Sequence, residues 1–276
     1  MMRFLKNKIL WLVLYAIFIT GVFLYFLFPS ALLEPKLEDA VSFQNFVLKT
    51  ETFHPSLPLG IKLKNLSVHS FGEPADVIFQ GEWLDLQFIP WSVFQKHRHV
   101  RFKGKAYNGK FSGRAGFTPR AGAYPFSDGQ ISFQGIDLAE YGGRGLPLFK
   151  GMTGKVRGSM LYAAGDGGGN QPSGKLSLYL SQGAYPLPEP FLGVTRLEFD
   201  RGEIQAQLKN GNVMVEKLEI YGQQMNCFLN GDVQLADQAQ MSRLNLKGTL
   251  EIAGKNKVKM NITVGGTLAS PLFRYM

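Results

Sequence analysis

The sequence predicts a mainly β protein: a single N-terminal transmembrane helix, then a curved antiparallel sheet with few short helices. Three observations predict it. Residues 9–28 pass without a single charge. Beyond Pro29, apolar residues recur at every second position in segment after segment, the spacing that places side chains on one face of an extended chain. The composition joins 32 Gly and 22 Phe to a charged fraction of only 18%, which speaks for short strands and tight turns and against disorder.

The first element is ILWLVLYAIFITGVFLYFLF, residues 9–28. At about 1.5 Å of rise per residue it is roughly 30 Å long, the thickness of a bilayer's hydrocarbon core. Trp11, Tyr15 and Tyr25 supply interfacial aromatic character, and Pro29 ends the run. Arg3, Lys6 and Lys8 precede the segment, whereas Glu34, Lys36, Glu38 and Asp39 follow it. Positive charge stays inside, so residues 1–8 form a cytoplasmic tail and 29–276 lie outside. In a bacterium that means an inner-membrane protein with a periplasmic β-domain. A cleaved signal peptide is the rival reading, but its apolar stretch would be about 7–15 residues long and end in small residues. Here the stretch ends in Phe26-Leu27-Phe28.

Next, ALLEPKLEDAVSFQNF (31–46) spaces Leu33, Leu37, Ala40, Val41 and Phe43 as a short amphipathic helix would. After it the two-residue period takes over. In PLGIKLKNLSV (58–68), Ile61 and Leu63 keep step while Leu66 and Val68 fall one residue out, which predicts a bulge. WLDLQFIPW (83–91), VRFKGKAYNGKFSGRAGF (100–117), GQISFQG (129–135), KLSLYLS (175–181) and RLEFDRGEIQAQL (196–208) read as strands. So do NVMVEKLEI (212–220), RLNLKGTLEIAG (243–254) and VKMNITVGGTL (258–268). Asn108-Gly109, Asp128-Gly129, Asn210-Gly211 and Asn230-Gly231 are expected to turn hairpins. The result is a meander of about a dozen strands. Short helical pieces are expected at 90–97 and 137–143, with a turn near 188–193. AAGDGGGNQPSG (163–174) reads as a flexible surface loop across which one sheet can continue.

The stretch KLEIYGQQMNCFLNGDVQL (217–235) poses the functional question. Leu218, Ile220, Met225, Cys227, Leu229, Val233 and Leu235 alternate with polar neighbours. The segment reads as strand, turn, strand with one greasy face, and these seven residues are candidates for the lining of an apolar groove. Helices are too few to cover such faces, so the sheet folds over itself or curls into an open trough. In a trough, a charge at Met225 or Leu229 is expected to abolish lipid retention without unfolding the protein.

Other chemistries find little support. The net charge of +9 comes from Lys and Arg scattered over polar strand positions, not from a basic helix face, so no nucleic-acid partner is expected. Gly169, Gly174 and Lys175 approximate a phosphate loop, but Leu176 replaces the hydroxyl residue and a strand, not a helix, follows. His97 and His99 have no third ligand nearby, so no metal is expected. The one cysteine, Cys227, reads as a small core residue and excludes both a disulfide and a cysteine-rich zinc site. There is no G-x-S-x-G elbow and no paired carboxylates, so neither catalysis nor a cofactor is expected.

The motif LPLGIKLKNLSV (57–68), soon after a membrane-proximal helix, resembles the opening of periplasmic domains of the AsmA-like superfamily. VGGTLASPLFR (264–274) is similar to the strand that closes such domains, and residues 210–235 resemble their repeated strand–glycine–strand unit. Length, single anchor and order together look most like the GspN family, the N component of type II secretion systems. The resemblance implies an inner-membrane accessory protein that acts by protein–protein contact with secretion subunits, including the secretin. It also implies a superfamily β-groove or taco, which elsewhere is linked to phospholipid handling. It carries no catalytic residues.

Overall fold

The computed structural model describes residues 46–275 except for connections at 57–59, 71–76, 90–97, 119–124, 145–148, 166–170, 192–193, 237 and 253–257, together with Tyr15 and Ile19. Of the apolar segment 9–28 only those two are described, both helical. The rest of it, the expected helix at 31–46 apart from Phe46, which opens strand β1, the expected helix at 90–97, and His97 lie outside the described residues. Among the described residues no helix is long and apolar enough to cross a membrane.

The strands are β1 (Phe46–Lys49), β2 (Thr52–Ser56), β3 (Gly60–Ser70), β4 (Val77–Phe88), β5 (Arg98–Ala106), β6 (Gly109–Phe117), β7 (Phe126–Asp137) and β8 (Thr153–Ala163). They continue as β9 (Ser173–Phe191), β10 (Val194–Lys209), β11 (Asn212–Tyr221), β12 (Met225–Gln234), β13 (Arg243–Ile252), β14 (Val258–Gly266) and β15 (Pro271–Tyr275). All belong to one curved, open, antiparallel sheet of 15 strands. From β3 onward each strand pairs with the next in sequence, while β1 and β2 share the outer edge of β3. β8 pairs with β9 across the loop at 163–174, so the sheet is unbroken there.

Of the four Asn/Asp-Gly pairs, Asn210-Gly211 turns the β10–β11 hairpin as expected, whereas the β5–β6 hairpin turns one residue earlier than expected, on Tyr107 and Asn108 at φ 49° and 59°, with Gly109 already paired to Ala106. The other two do not. Asp128-Gly129 lies inside β7, and Asn230-Gly231 inside an uninterrupted β12. Gly231 has φ 145°, and a Cβ there would sit 2.1 Å from the Asn245 carbonyl oxygen. This glycine serves close approach of strands, not chain reversal. The reversal after β11 is made by Gly222–Gln224 instead. β9 runs on to Phe191, which pairs with Val194, so the reversal expected near 188–193 falls at the end of that window. Beyond Ala184 it has no partner strand on the β8 side among the described residues. Pro186, Pro188 and Pro190, two apart, leave that edge without donors.

Curvature has local causes. Asn65 takes φ 49° within β3, and its side-chain amide donates to Glu51 across the edge. Leu63 and Leu66, three residues apart, thereby both reach the core. The β3–β4 register is the same on both sides of Asn65, so the expected bulge is a paired irregularity, with Glu82 absorbing the matching residue. Gln182, at φ 45°, plays the same part in β9 opposite Asp200. One-sided bulges follow in β7 and β11. Each adds twist and bend to a sheet that would otherwise be flat.

The expected helix at 137–143 is the four-residue α1 (Leu138–Tyr141). Asp137 caps it by accepting from the Ala139 amide at 2.9 Å, and Gly142 ends it at φ 65°. Its Leu138 packs with Met152, Val156, Leu180 and Phe199. Apart from a turn at Ala239–Met241, no other helix longer than a turn occurs among residues 46–275 that are described. Beyond this one helical turn, whose cluster takes in Phe133, Leu178 and Ile204, the apolar face has no helical layer over it in the described part.

Candidate functional site

The alternating pattern places side chains, and the register lines them up. One row begins at Leu63 and crosses the sheet through Leu84, Gly104, Phe111, Phe133, Gly158 and Leu178. It continues through Ile204, Leu218, Leu229, Gly248 and Ile262 to Tyr275. The neighbouring row on the same face runs from Ile61 through Leu86, Phe102, Gly113, Ile131, Met160 and Leu176. It ends through Ala206, Val215, Gly231, Leu246 and Val264 at Phe273. Apart from Tyr275, neither row holds a polar side chain between β3 and β15.

Glycine alternates with large rings where β5 and β6 meet. A Cβ on Gly104 would lie 2.4 Å from the Phe111 ring, and one on Gly113 2.6 Å from the Phe102 ring. Each ring covers the glycine opposite it, which lets the two strands pack without a bulky pair. Burial is uneven along the face. Leu63, Leu66 and Phe53 close the β1–β4 end. Ala206, Val215, Leu246, Ile262 and Val264 are buried toward the β15 end, where Leu197 and Tyr185 from the projecting β9–β10 ribbon pack on the same cluster. Between them Leu86, Phe102 and Ile131 are half-buried and Met160 is 45% exposed. The face is an apolar trough filled by its own side chains at both ends, covered at Phe133, Leu178 and Ile204 by the cluster that α1 joins, and accessible along the second row from Leu86 to Met160.

The candidate groove residues fall within it unequally. Met225, Cys227 and Val233 are buried members of the C-terminal cluster, and Leu218, Ile220 and Leu229 lie against it half-buried. Leu235 is not with them: it follows the end of β12 and is 50% exposed. Alternation alone includes it; the strand's end excludes it. Phe102, Ile131 and Met160, the accessible part of the face, are missing from the sequence-derived set. Their strands carry glycine at apolar positions, which hides the stripe until the register is known.

Burial pushes the Cys227 thiol up to about 11. At pH 8 the native protein is therefore expected to resist maleimide labelling, and unfolding in guanidinium should release full reactivity. Labelling of the folded chain at the rate of a free thiol would contradict the burial.

The opposite face is polar. On β10 and β11, Lys217 Nζ lies 2.7 Å from Glu203 Oε2 and 3.2 Å from Glu219 Oε2. Tyr221 donates to Glu219 at 2.7 Å and Gln205 to Glu203 at 2.7 Å. The Lys217 hydrogen bond holds Glu203 below its ordinary 4.5, and the Tyr221 hydrogen bond does the same for Glu219. Lys217 is raised above 10.5, chiefly by Glu203. Lowered carboxylates stabilise the fold above pH 4.5 and lose that contribution as pH falls through their folded values; the raised lysine contributes below pH 10.5 and loses it above. Lys217→Met should therefore lower the urea midpoint at pH 7 and make a smaller difference at pH 3.

His99 lies 3.9 Å from Asp128, and among the described residues no cluster of His, Cys, Asp or Glu is fit to hold a metal ion. The fold and this face define a class: a single-sheet β protein whose apolar side is lined by its own strands. In comparisons with protein-family models, curated proteins and solved structures, none matches the chain.

Proposed function

We propose that the protein is a membrane-anchored, periplasmic accessory component of a bacterial type II secretion system, with an AsmA-like β-groove as its working part. The observation that carries this reading is the pairing of an uncharged 9–28 segment with one open, curved sheet whose apolar rows run unbroken from β3 to β15. That is the architecture the resemblance of 57–68, 210–235 and 264–274 implies. The role is binding and assembly, not catalysis. An open sheet has two edges, and among the described residues the short β15 forms one of them, an edge to which a partner strand can add. Photo-cross-linking in cells from positions on β15 tests this reading. Adducts with secretin or inner-membrane secretion subunits are expected; their absence, with adducts to unrelated proteins instead, overturns it.

The accessible middle of the trough supports a second reading, an acyl-chain site. Half-buried Phe102 and Ile131 beside the 45%-exposed Met160 form a surface that an apolar chain would shield. Native mass spectrometry of the full chain should then show phospholipid retained by the wild type and lost from Met160→Asp. Lipid retention without secretion partners would leave this reading alone standing.

A further inference from the structure

The large apolar side chains that the sheet leaves open to water are not spread evenly. They gather at one end of the strands, where β4 and the even-numbered strands after it stop and β3 and the odd-numbered strands after it start. On the trough face this end carries Phe88, the last residue of β4, and Phe126, the first of β7. Phe126 stacks on Tyr162 and meets Phe117 edge-on, so three rings form a rim. On the polar face the same end carries Leu161, Met214 and Leu272, and register sets Leu161 in one row with Lys175, Gln207 and Met214. Leu235 and the 58%-exposed Met241 lie just past the strand ends, between β12 and β13. At the opposite end Val258 is the one comparable side chain among the described residues.

Single exposed apolar residues are ordinary; this distribution is not. A helix or a second sheet packing on the protein would cover one face. Here apolar side chains stand on both faces, within three residues of the strand ends. At about 3.3 Å per residue that is a band roughly 10 Å deep, the depth to which an amphipathic surface enters the boundary between lipid headgroups and acyl chains. Charge agrees. Within two residues of the same strand ends stand Lys62, Arg98, Lys175, Lys209 and Arg243, against Asp128 and Asp232 among the described residues. Long basic side chains reach phosphates while their apolar neighbours sit deeper.

We propose that this end of the sheet seats in the interface of a lipid bilayer bearing anionic headgroups. The chain enters the sheet at the other end, where Phe46 pairs with Ser70, so this contact is separate from any attachment through 9–28. The accessible row of the trough lies next to it, Leu86 two residues in from Phe88 and Met160 two in from Tyr162. The trough therefore opens at the bilayer, although the seating requires neither lipid in the trough nor a secretion partner.

The full chain reconstituted in nanodiscs, with a fluorophore on Leu272→Cys or on Met241→Cys, tests the proposal; Cys227 is buried and stays unlabelled. Spin-labelled phospholipid, placed in the nanodisc or in liposomes added to it, should quench both probes at least about fivefold more than a probe on Tyr179→Cys, which is exposed in the middle of β9. Quenching from the nanodisc sets the contact on the bilayer that holds the chain, and quenching from the liposomes sets it on another; either supports the proposal. Exchanging phosphatidylglycerol for phosphatidylcholine, or combining Lys209→Glu with Arg243→Glu, should weaken the contact by about tenfold. Circular dichroism controls for folding, and each of the two probe sites decides alone if the other variant fails to fold. Equal quenching at all three sites, no quenching, or indifference to headgroup charge overturns the proposal. Dimers of the nanodisc-held chain that Leu272→Asp dissolves would give this end to a second copy and overturn it as well.

Discussion

Gly248→Val is expected to detach the C-terminal strands from the sheet. A Cβ at Gly248 would lie 1.7 Å from the Phe228 carbonyl oxygen and 2.9 Å from the Leu229 Cα. Both are backbone atoms of β12, so no side-chain rotation relieves the clash, and β12 and β13 must move apart. In this topology β13 to β15 join the rest of the sheet through that one ladder. The loss should exceed about 4 kcal/mol, lowering Tm by roughly 10 °C for a chain of this size. Thr249→Val, one residue on and facing the other way, should stay within about 1 kcal/mol. Differential scanning calorimetry of the two variants provides the comparison; similar melting temperatures would show that β12 and β13 are not paired as described.

Met225→Asp should unfold the C-terminal cluster. Met225 is 4% exposed and packs among Cys227, Leu250 and their neighbours, with no cation in that cluster. An unpaired carboxylate there costs several kcal/mol, whereas Met225→Leu keeps the volume and should cost under about 1.5 kcal/mol. The expectation that a charge at Met225 spares the fold is therefore corrected: this residue belongs to the protein's own core. The informative contrast is Met160→Asp on the same face, where 45% exposure should hold the cost below about 1 kcal/mol. Guanidinium midpoints of the three variants trace the trough from filled to open. Equal destabilisation at both Asp sites would mean that the middle of the face is closed.

Much of the fold was legible in the residues because its cause is local. Alternation, as in Leu218–Ile220 and Met225–Cys227–Leu229, is a property of neighbouring positions. It assigns strand and face without any knowledge of the partner. Asn210-Gly211 was legible for the same reason, since a two-residue reversal needs only its own backbone freedom, and Asn108 marked the β5–β6 reversal to within one residue, Tyr107 and not Gly109 being its partner in the turn. Asn230-Gly231 carries the same dipeptide and does not turn. Its role depends on the Asn245 carbonyl 2.1 Å from where a Cβ would sit, a residue of another strand that the segment itself does not specify. Leu235 was misjudged in the same way, because the end of β12 is set by pairing and not by alternation.

Taken alone, the residue order determined the antiparallel β class, the uncharged 9–28 segment and the face on which each strand carries its apolar side chains. Tertiary structure alone decided the register between neighbouring strands and the place of β1 and β2 on the outer edge of β3, and hence that apolar rows run unbroken from β3 to β15 and that Arg101 faces Arg114. The reason is that a row is a relation between chain segments far apart in sequence. It is set by hydrogen-bond register and by irregularities such as those at Asn65 and Gln182, where one residue's dihedral angles shift the face shown by everything beyond it.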